Sequence, residues 1–156
     1  LGKEKMMQIL VDADACPQQI QKLIVELAKA AKQKCLFISN YAHFSINDNQ
    51  EFLYVDRSFQ AVDLVIANRV AAGDVVVTQD YGLAALVLAK GAQAISTRGM
   101  VYADQQIDQL LEQRHLMAKI RRGGGRHSGP AKISQEDLER FRKNFASLLG
   151  LYNKEG

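Results

Sequence analysis

Residues 7–17, MQILVDADACP, decide how this chain is read. The run from Gln8 to Val11 is short, rich in branched apolar residues and not alternating, which is the pattern of a strand buried on both faces of a parallel sheet. Asp12 and Asp14 then stand at its carboxyl end, ahead of Pro17, a residue suited to opening a helix. In open α/β sheets ligands bind in the crevice outside the carboxyl ends of the strands. Two readings of the aspartates stand side by side here: a cap for the helix that follows, or part of a site.

Outward from this stretch the chain alternates between the two periodicities. Residues 17–32 carry Ile20, Leu23, Ile24, Leu27, Ala28 and Ala31 at helical spacing, so an amphipathic helix packs on the sheet. Residues 35–39, CLFIS, read as a second strand and 52–55 as a third, with a polar loop between that contains His43. His43 has no second histidine or cysteine at ligand spacing, so a solvated or structural role is expected. A helix over 59–72 has Val62, Val65, Ile66 and Val70 on its apolar face, with Asp63 interrupting it. An unpaired buried carboxylate is costly, so Asp63 needs a cation, donors or an exposed helix edge.

Residues 74–78 read as strand four, with Asp74 at its amino end and Thr78 and Asp80 at its carboxyl end. Asp80 also precedes the helix over 81–88 and suits its cap. If strands one and four are neighbours where the chain switches direction across the sheet, Asp12, Asp14 and Asp80 converge. Converging carboxylates repel unless protonated or bridged by a cation, and an oxygen-only cluster suits Mg²⁺ or Mn²⁺, as one or two ions.

Residues 92–96 form the fifth strand. Ser96, Thr97, Arg98 and Gly99 at its end read either as a polar turn or as a phosphate-receiving loop. Asp104 caps a long helix carrying Ile107, Leu110, Leu111, Leu116 and Ile120. Then comes a basic stretch: between 119 and 132 lie Lys119, Arg121, Arg122, Arg126 and Lys132 with no acid, and since the chain totals +3, these five leave a net −2 elsewhere. The glycines 123–125 rule out a stable helix, so 119–132 is expected to be a mobile cationic loop, read either as a charged linker without a ligand or, since no acid is interspersed, as a segment that meets phosphates through charge. Ser134 and Asp137 signal the start of the last helix. Its stripe of Leu138, Phe141, Phe145, Leu148 and Leu149 either closes the core or pairs with a second copy in a homodimer.

The 156 residues, 47% apolar and 24% charged, suit one globular domain over 6–150; residues 1–5 resemble no structural element. No run reaches the ~20 apolar residues of a membrane span and no signal-peptide pattern is present, so a cytoplasmic protein is expected, without a membrane partner. Cys16 and Cys35 are too few for a disulfide framework or a zinc site. Cys16 precedes a helix, but the next cation is Lys22, so a small, partly buried residue is the better reading than a nucleophile.

The alternation of strands and helices predicts an α/β fold, a three-layer α/β/α arrangement on a mainly parallel sheet of about five strands. VDADACP, the segment AVDLVIANRVAAGDVVVTQDYGLAALVLAKGA, and STRG followed by RRGGGR and GP together resemble the YaiI/YqxD family of uncharacterised bacterial proteins. That family in turn resembles PIN-like and NYN-like nuclease domains, in which acids bind Mg²⁺ or Mn²⁺ and cut RNA. The middle segment is similar to the PIN pattern of an aspartate-bearing helix leading into a strand that ends threonine, any residue, aspartate. The resemblance implies a metal-dependent ribonuclease with Asp12, Asp63 and Asp80 as metal-binding catalytic acids, Thr78 in support and Asp14 as a further ligand. It implies RNA, with DNA second, held by Arg98, Lys119, Arg121, Arg122, Arg126 and Lys132. An acid that PIN domains supply from a central helix has no match here. Two other classes fit parts of the pattern. One is a haloacid-dehalogenase-type phosphatase, which also begins Asp-x-Asp and would use Asp12 as nucleophile. The other is a PIN-like protein that binds RNA without cutting it.

Overall fold

The structure, a computed structural model, describes residues 7–41, 50–57, 61–104, 108, 112 and 132–151. Ile9–Asp12 forms the central strand β1, and Ile9, Leu10 and Val11 are wholly buried, as a non-alternating apolar run requires when both faces of a sheet are covered. It pairs in parallel with β2 (Cys35–Ser39) on one side. On the other side it pairs with β4 (Val75–Val77), while β3 (Gln50–Tyr54) extends β2 and β5 (Gln93–Ile95) extends β4. The order is therefore β3-β2-β1-β4-β5, all parallel. The chain leaves β1 in one direction, returns, and leaves again past β4, so the topological switch point falls between β1 and β4.

Among the described residues the two faces are covered by α1 (Gln18–Ala30), α2 (Val62–Arg69), α3 (Tyr81–Ala89) and α4 (Gln135–Leu148). Side chains alternate along each strand. Ile9, Val11, Phe37, Val75, Val77 and Ile95 thus meet Ile20, Ile24, Phe141 and Phe145 of α1 and α4. Leu10, Ile38, Val76 and Ala94 meet Ile66, Leu83 and Val87 of α2 and α3. The result is the three-layer α/β/α arrangement. The last helix's apolar stripe packs into the core: Phe141 and Phe145 are fully buried and stack at 5.0 Å, each contributing about 2–3 kcal/mol by area. Ser134 and Asp137 close a capping box at its start.

Several boundaries differ from the sequence reading. Strand β3 begins at Gln50 and is partly exposed, because it is the sheet edge. Helix α2 ends at Arg69, not 72: Val70 takes an extended backbone at ψ 142, and Gly73, at φ +91, turns the chain into β4. Asp74 is structural, accepting from Gln8 N and Nε2 and from Ala71 N at 2.8–3.0 Å at the amino end of the sheet. Gly99 has φ +91, and a Cβ there would lie 2.6 Å from Phe141 N; only glycine lets this turn lie against α4. Residues 104, 108 and 112 are helical. The rest of that expected helix lies outside the described residues, as do residues 1–5, His43, Lys119, Arg121, Arg122 and Arg126. No described helix is long and apolar enough to cross a membrane.

Candidate functional site

Asp12 is the last residue of β1, half-buried, where the chain breaks into a 3₁₀ turn over Ala13–Ala15. Its Oδ2 accepts from Thr78 Oγ1 at 3.1 Å. Thr78 follows β4 on the neighbouring strand, and its hydroxyl in turn accepts from Asp80 N at 3.0 Å. The backbone of Thr78 is pinned by Ile95 O and by the Tyr102 hydroxyl, which donates to Thr78 O at 3.0 Å. The threonine thus joins the acid end of β1 to the acid end of β4 across the switch point.

Asp80 caps α3, its Oδ1 accepting from Gly82 N at 2.9 Å and Leu83 N at 3.2 Å. The cap and the site are one residue, because a strand that ends in the crevice hands over to a helix there. Asp14 is exposed and has both oxygens bound to the end of β2: Ser39 Oγ donates to Oδ1 at 2.5 Å and Asn40 N to Oδ2 at 2.7 Å. Asp63 is exposed in the first turn of α2, the outcome that its place in an apolar segment left open.

Electrostatics ties the four acids together. Burial pushes the Asp12 carboxyl above its usual range; the Thr78 bond pulls it back, and the charges of Asp80, Asp14 and Asp63 each push it up again. Among the described residues no lysine or arginine forms an ion pair with Asp12, Asp14 or Asp63. Nor, among them, do three His, Cys, Asp or Glu side chains stand close enough to enclose one ion. The donors at this crevice are all oxygen, the type that hard divalent cations take.

Beside the acids opens a cleft of about 700 Å³, lined by Ala15, Pro17, Gln19, Gln79, Thr97, Arg98, Lys132 and Ile133. Arg98 and Lys132, chosen from the sequence as phosphate contacts, share this cleft. Arg98 is also structural: its Nη1 meets Asp137 Oδ2 at 2.6 Å, and Arg140 pairs with the other oxygen at 3.0 Å. Ser96 Oγ accepts from Arg98 N and Met100 N, which shapes the turn. Gln79, which accepts from Thr97 N at 2.9 Å, and Ser39 and Asn40, which hold Asp14, escaped the sequence reading. Gln79 had a signal, standing between Thr78 and Asp80. Burial, and then the charge of Asp12, pushes the Cys16 thiol up to about 12, so it is no nucleophile.

A UPF0178 protein of Clostridium tetani is 44% identical over 148 residues, covering 95% of this chain and 100% of the relative. UPF0178 proteins of Clostridium kluyveri and Staphylococcus saprophyticus are 41% and 39% identical, covering 92% and 94% of this chain and 93% and 96% of their own lengths. Among solved structures, Rae1 (YacP) from Bacillus subtilis, in a point-mutant form, aligns with a TM-score of 0.46 at 18% identity, over 93% of this chain and 98% of that one. Residues 10–150 match the family described as uncharacterized BCR, YaiI/YqxD. The chain belongs to the YaiI/YqxD family.

Proposed function

We propose that this chain is a metal-dependent nuclease that hydrolyses phosphodiester bonds of RNA, using Mg²⁺ or Mn²⁺ at the acidic crevice between β1 and β4. The observation that carries the reading is the Asp12–Thr78–Asp80 linkage at the switch point, with Asp14 and Asp63 in the same field. Asp12 and Asp80, with Asp63 and Asp14 alongside, would hold one or two ions. A bound cation supplies a Lewis acid that activates water and offsets charge on the attacked phosphate. Thr78 orients the Asp12 carboxylate, and the α3 cap orients Asp80. Arg98 and Lys132 hold flanking phosphates in the cleft, with Lys119, Arg121, Arg122 and Arg126 adding charge in this reading. RNA in preference to DNA rests on the PIN-like resemblance alone.

A second reading, RNA binding without cleavage, draws support from one observation: no three acids among the described residues are set to enclose an ion. The phosphatase reading has less behind it, since it expects a lysine near Asp12, and no described lysine pairs with that residue. The test is cleavage of labelled single-stranded and structured RNA with Mn²⁺, with Mg²⁺ and with EDTA, comparing wild type and Asp80→Asn. Asparagine also caps helices well, so the variant keeps its fold. Metal-dependent cutting lost in the variant supports the nuclease. RNA bound but uncut under every metal supports the second reading, and a phosphoryl group trapped on Asp12 supports the phosphatase.

A further inference from the structure

The carboxyl edge of the sheet carries, besides the acids, two exposed aromatic side chains that the core does not use. Tyr41 is 59% exposed and Tyr54 53%. Tyr54 ends β3, and Tyr41 lies two residues beyond the end of β2. The parallel register sets Tyr54 opposite Ser39, and Ser39 Oγ both donates to Asp14 and accepts from Tyr41 N at 2.9 Å. A single hydroxyl therefore ties the backbone of Tyr41 to an acid of the site.

Direction follows from the pleat. Tyr54 is two residues beyond Phe52, which meets Phe37 at 5.3 Å on the face covered by α1 and α4, so Tyr54 belongs to that face too. The cleft of Arg98 and Lys132 opens between the starts of α1 and α4, on the same face and at the β5 end. Tyr54, Asp14 beside Ser39, and the cations thus follow one another along one edge from β3 to β5, a span of four strand spacings or about 19 Å, while Asp12 and Thr78, at the parity of Leu10 and Val76, stand toward α2 and α3.

Single exposed aromatics need no explanation; these two stand on the edge that leads to the cations of the Arg98–Lys132 cleft. The cations of the cleft meet phosphates, which single strands and duplexes both offer. Tyrosine rings add a demand that only one of them meets. Unpaired bases present their faces for stacking on aromatic side chains, whereas the bases of a duplex are already stacked on each other. We propose that this edge is a track for single-stranded nucleic acid: unpaired bases stack on Tyr41 and Tyr54, and the backbone continues past Asp14 into the Arg98–Lys132 cleft. The proposal rests on the nuclease reading for what the acids do, but binding to the track does not require cleavage.

The test uses the full chain in EDTA, with a labelled short oligouridylate and a blunt RNA duplex of equal length, followed by anisotropy. The chain has no tryptophan and five tyrosines, so its tyrosine emission reports stacking directly. The single strand is expected to bind at least about tenfold tighter than the duplex and to quench tyrosine emission. Tyr41→Ala and Tyr54→Ala each weaken single-strand binding by roughly tenfold, within the range of base–aromatic stacking, and the Phe variants restore it. Both side chains are more than half exposed, so the variants fold, as circular dichroism checks. Equal affinity for the duplex, alanine variants that bind like wild type, or no binding by wild type overturns the track. RNA cleavage that persists with unchanged alanine variants sinks the track and leaves the nuclease. Tyrosine-dependent binding without metal-dependent cleavage sinks the nuclease and supports the track.

Discussion

Thr78 Oγ1 lies 3.1 Å from Asp12 Oδ2, and this bond joins the carboxyl ends of two neighbouring parallel strands at the point where the chain reverses its progress across the sheet. The hydroxyl is 1% exposed as part of its residue and also accepts from Asp80 N, so one small side chain serves both acids. Thr78→Val keeps the shape and removes both bonds. Unfolding in urea is expected to show a loss of about 1–3 kcal/mol, the usual cost of leaving buried polar groups unpaired. Thr78→Ser should retain most of that stability. A valine variant as stable as wild type would mean that the linkage does not hold the strand ends together.

Asp12 is an acid whose ionised form the fold disfavours, chiefly through burial. Because its carboxyl is raised in the folded state, its contribution is full below the unfolded value of about 3.8 and is lost as pH rises through the folded one. Without metal at neutral pH, Asp12→Asn is therefore expected to raise the melting temperature, and the gap between variant and wild type should narrow as pH falls toward 4. Asparagine still accepts from Thr78. A lower melting temperature for the variant at neutral pH contradicts this.

Asp137 behaves in the opposite sense. Hydrogen bonds from Ser134 above all, and then the guanidinium groups of Arg140 and Arg98, hold its carboxyl down at about 2 against an ordinary 3.8. A depressed carboxyl adds stability above its unfolded value and loses it as pH falls through the folded one. Asp137→Asn should be less stable than wild type above pH ~4, and the difference should vanish on acidification toward pH 2. Melting curves across that window decide it; a difference that persists at pH 2 would point to shape, not charge.

Gly99 and Gly73 share a φ of +91 but not their surroundings. Gly73→Ala meets only open space, and so bears the left-handed strain of about 1–2 kcal/mol. Gly99→Ala adds a Cβ within 2.6–2.8 Å of Phe141 N and Arg140 and must displace α4. The second variant should lose clearly more stability in denaturant titrations than the first. Equal losses would show that α4 yields freely.

The fold was legible where burial writes itself into composition. Residues 9–11 and 75–77 are uninterrupted apolar runs because both sheet faces are covered, and α1 and α4 show their stripes because each has one wet face. The edge strand β3 was misplaced by two residues, since Gln50 and Glu51 are polar and carry no apolar signal of a strand. The places of Asp12 and Asp80 beyond the apolar runs of β1 and β4 were legible because a buried strand that stops at an acid marks its own end. The long-range partners were not: Ser39 and Asn40 reach Asp14 across 25 and 26 residues of sequence, and Arg98 reaches Asp137 across 39. No periodicity encodes such contacts; they exist only once the sheet is assembled.

The central claim is that these acids hold a divalent cation, and calorimetric titration with Mn²⁺ tests it most directly, comparing wild type with the Asp12→Asn/Asp80→Asn double variant. Both substitutions preserve the hydrogen-bond acceptors that the fold uses, Asp12 toward Thr78 and Asp80 toward the start of α3. Saturable binding by wild type, absent from the double variant, is the expected result. Equal affinity in the two proteins, or no binding by wild type, would contradict it.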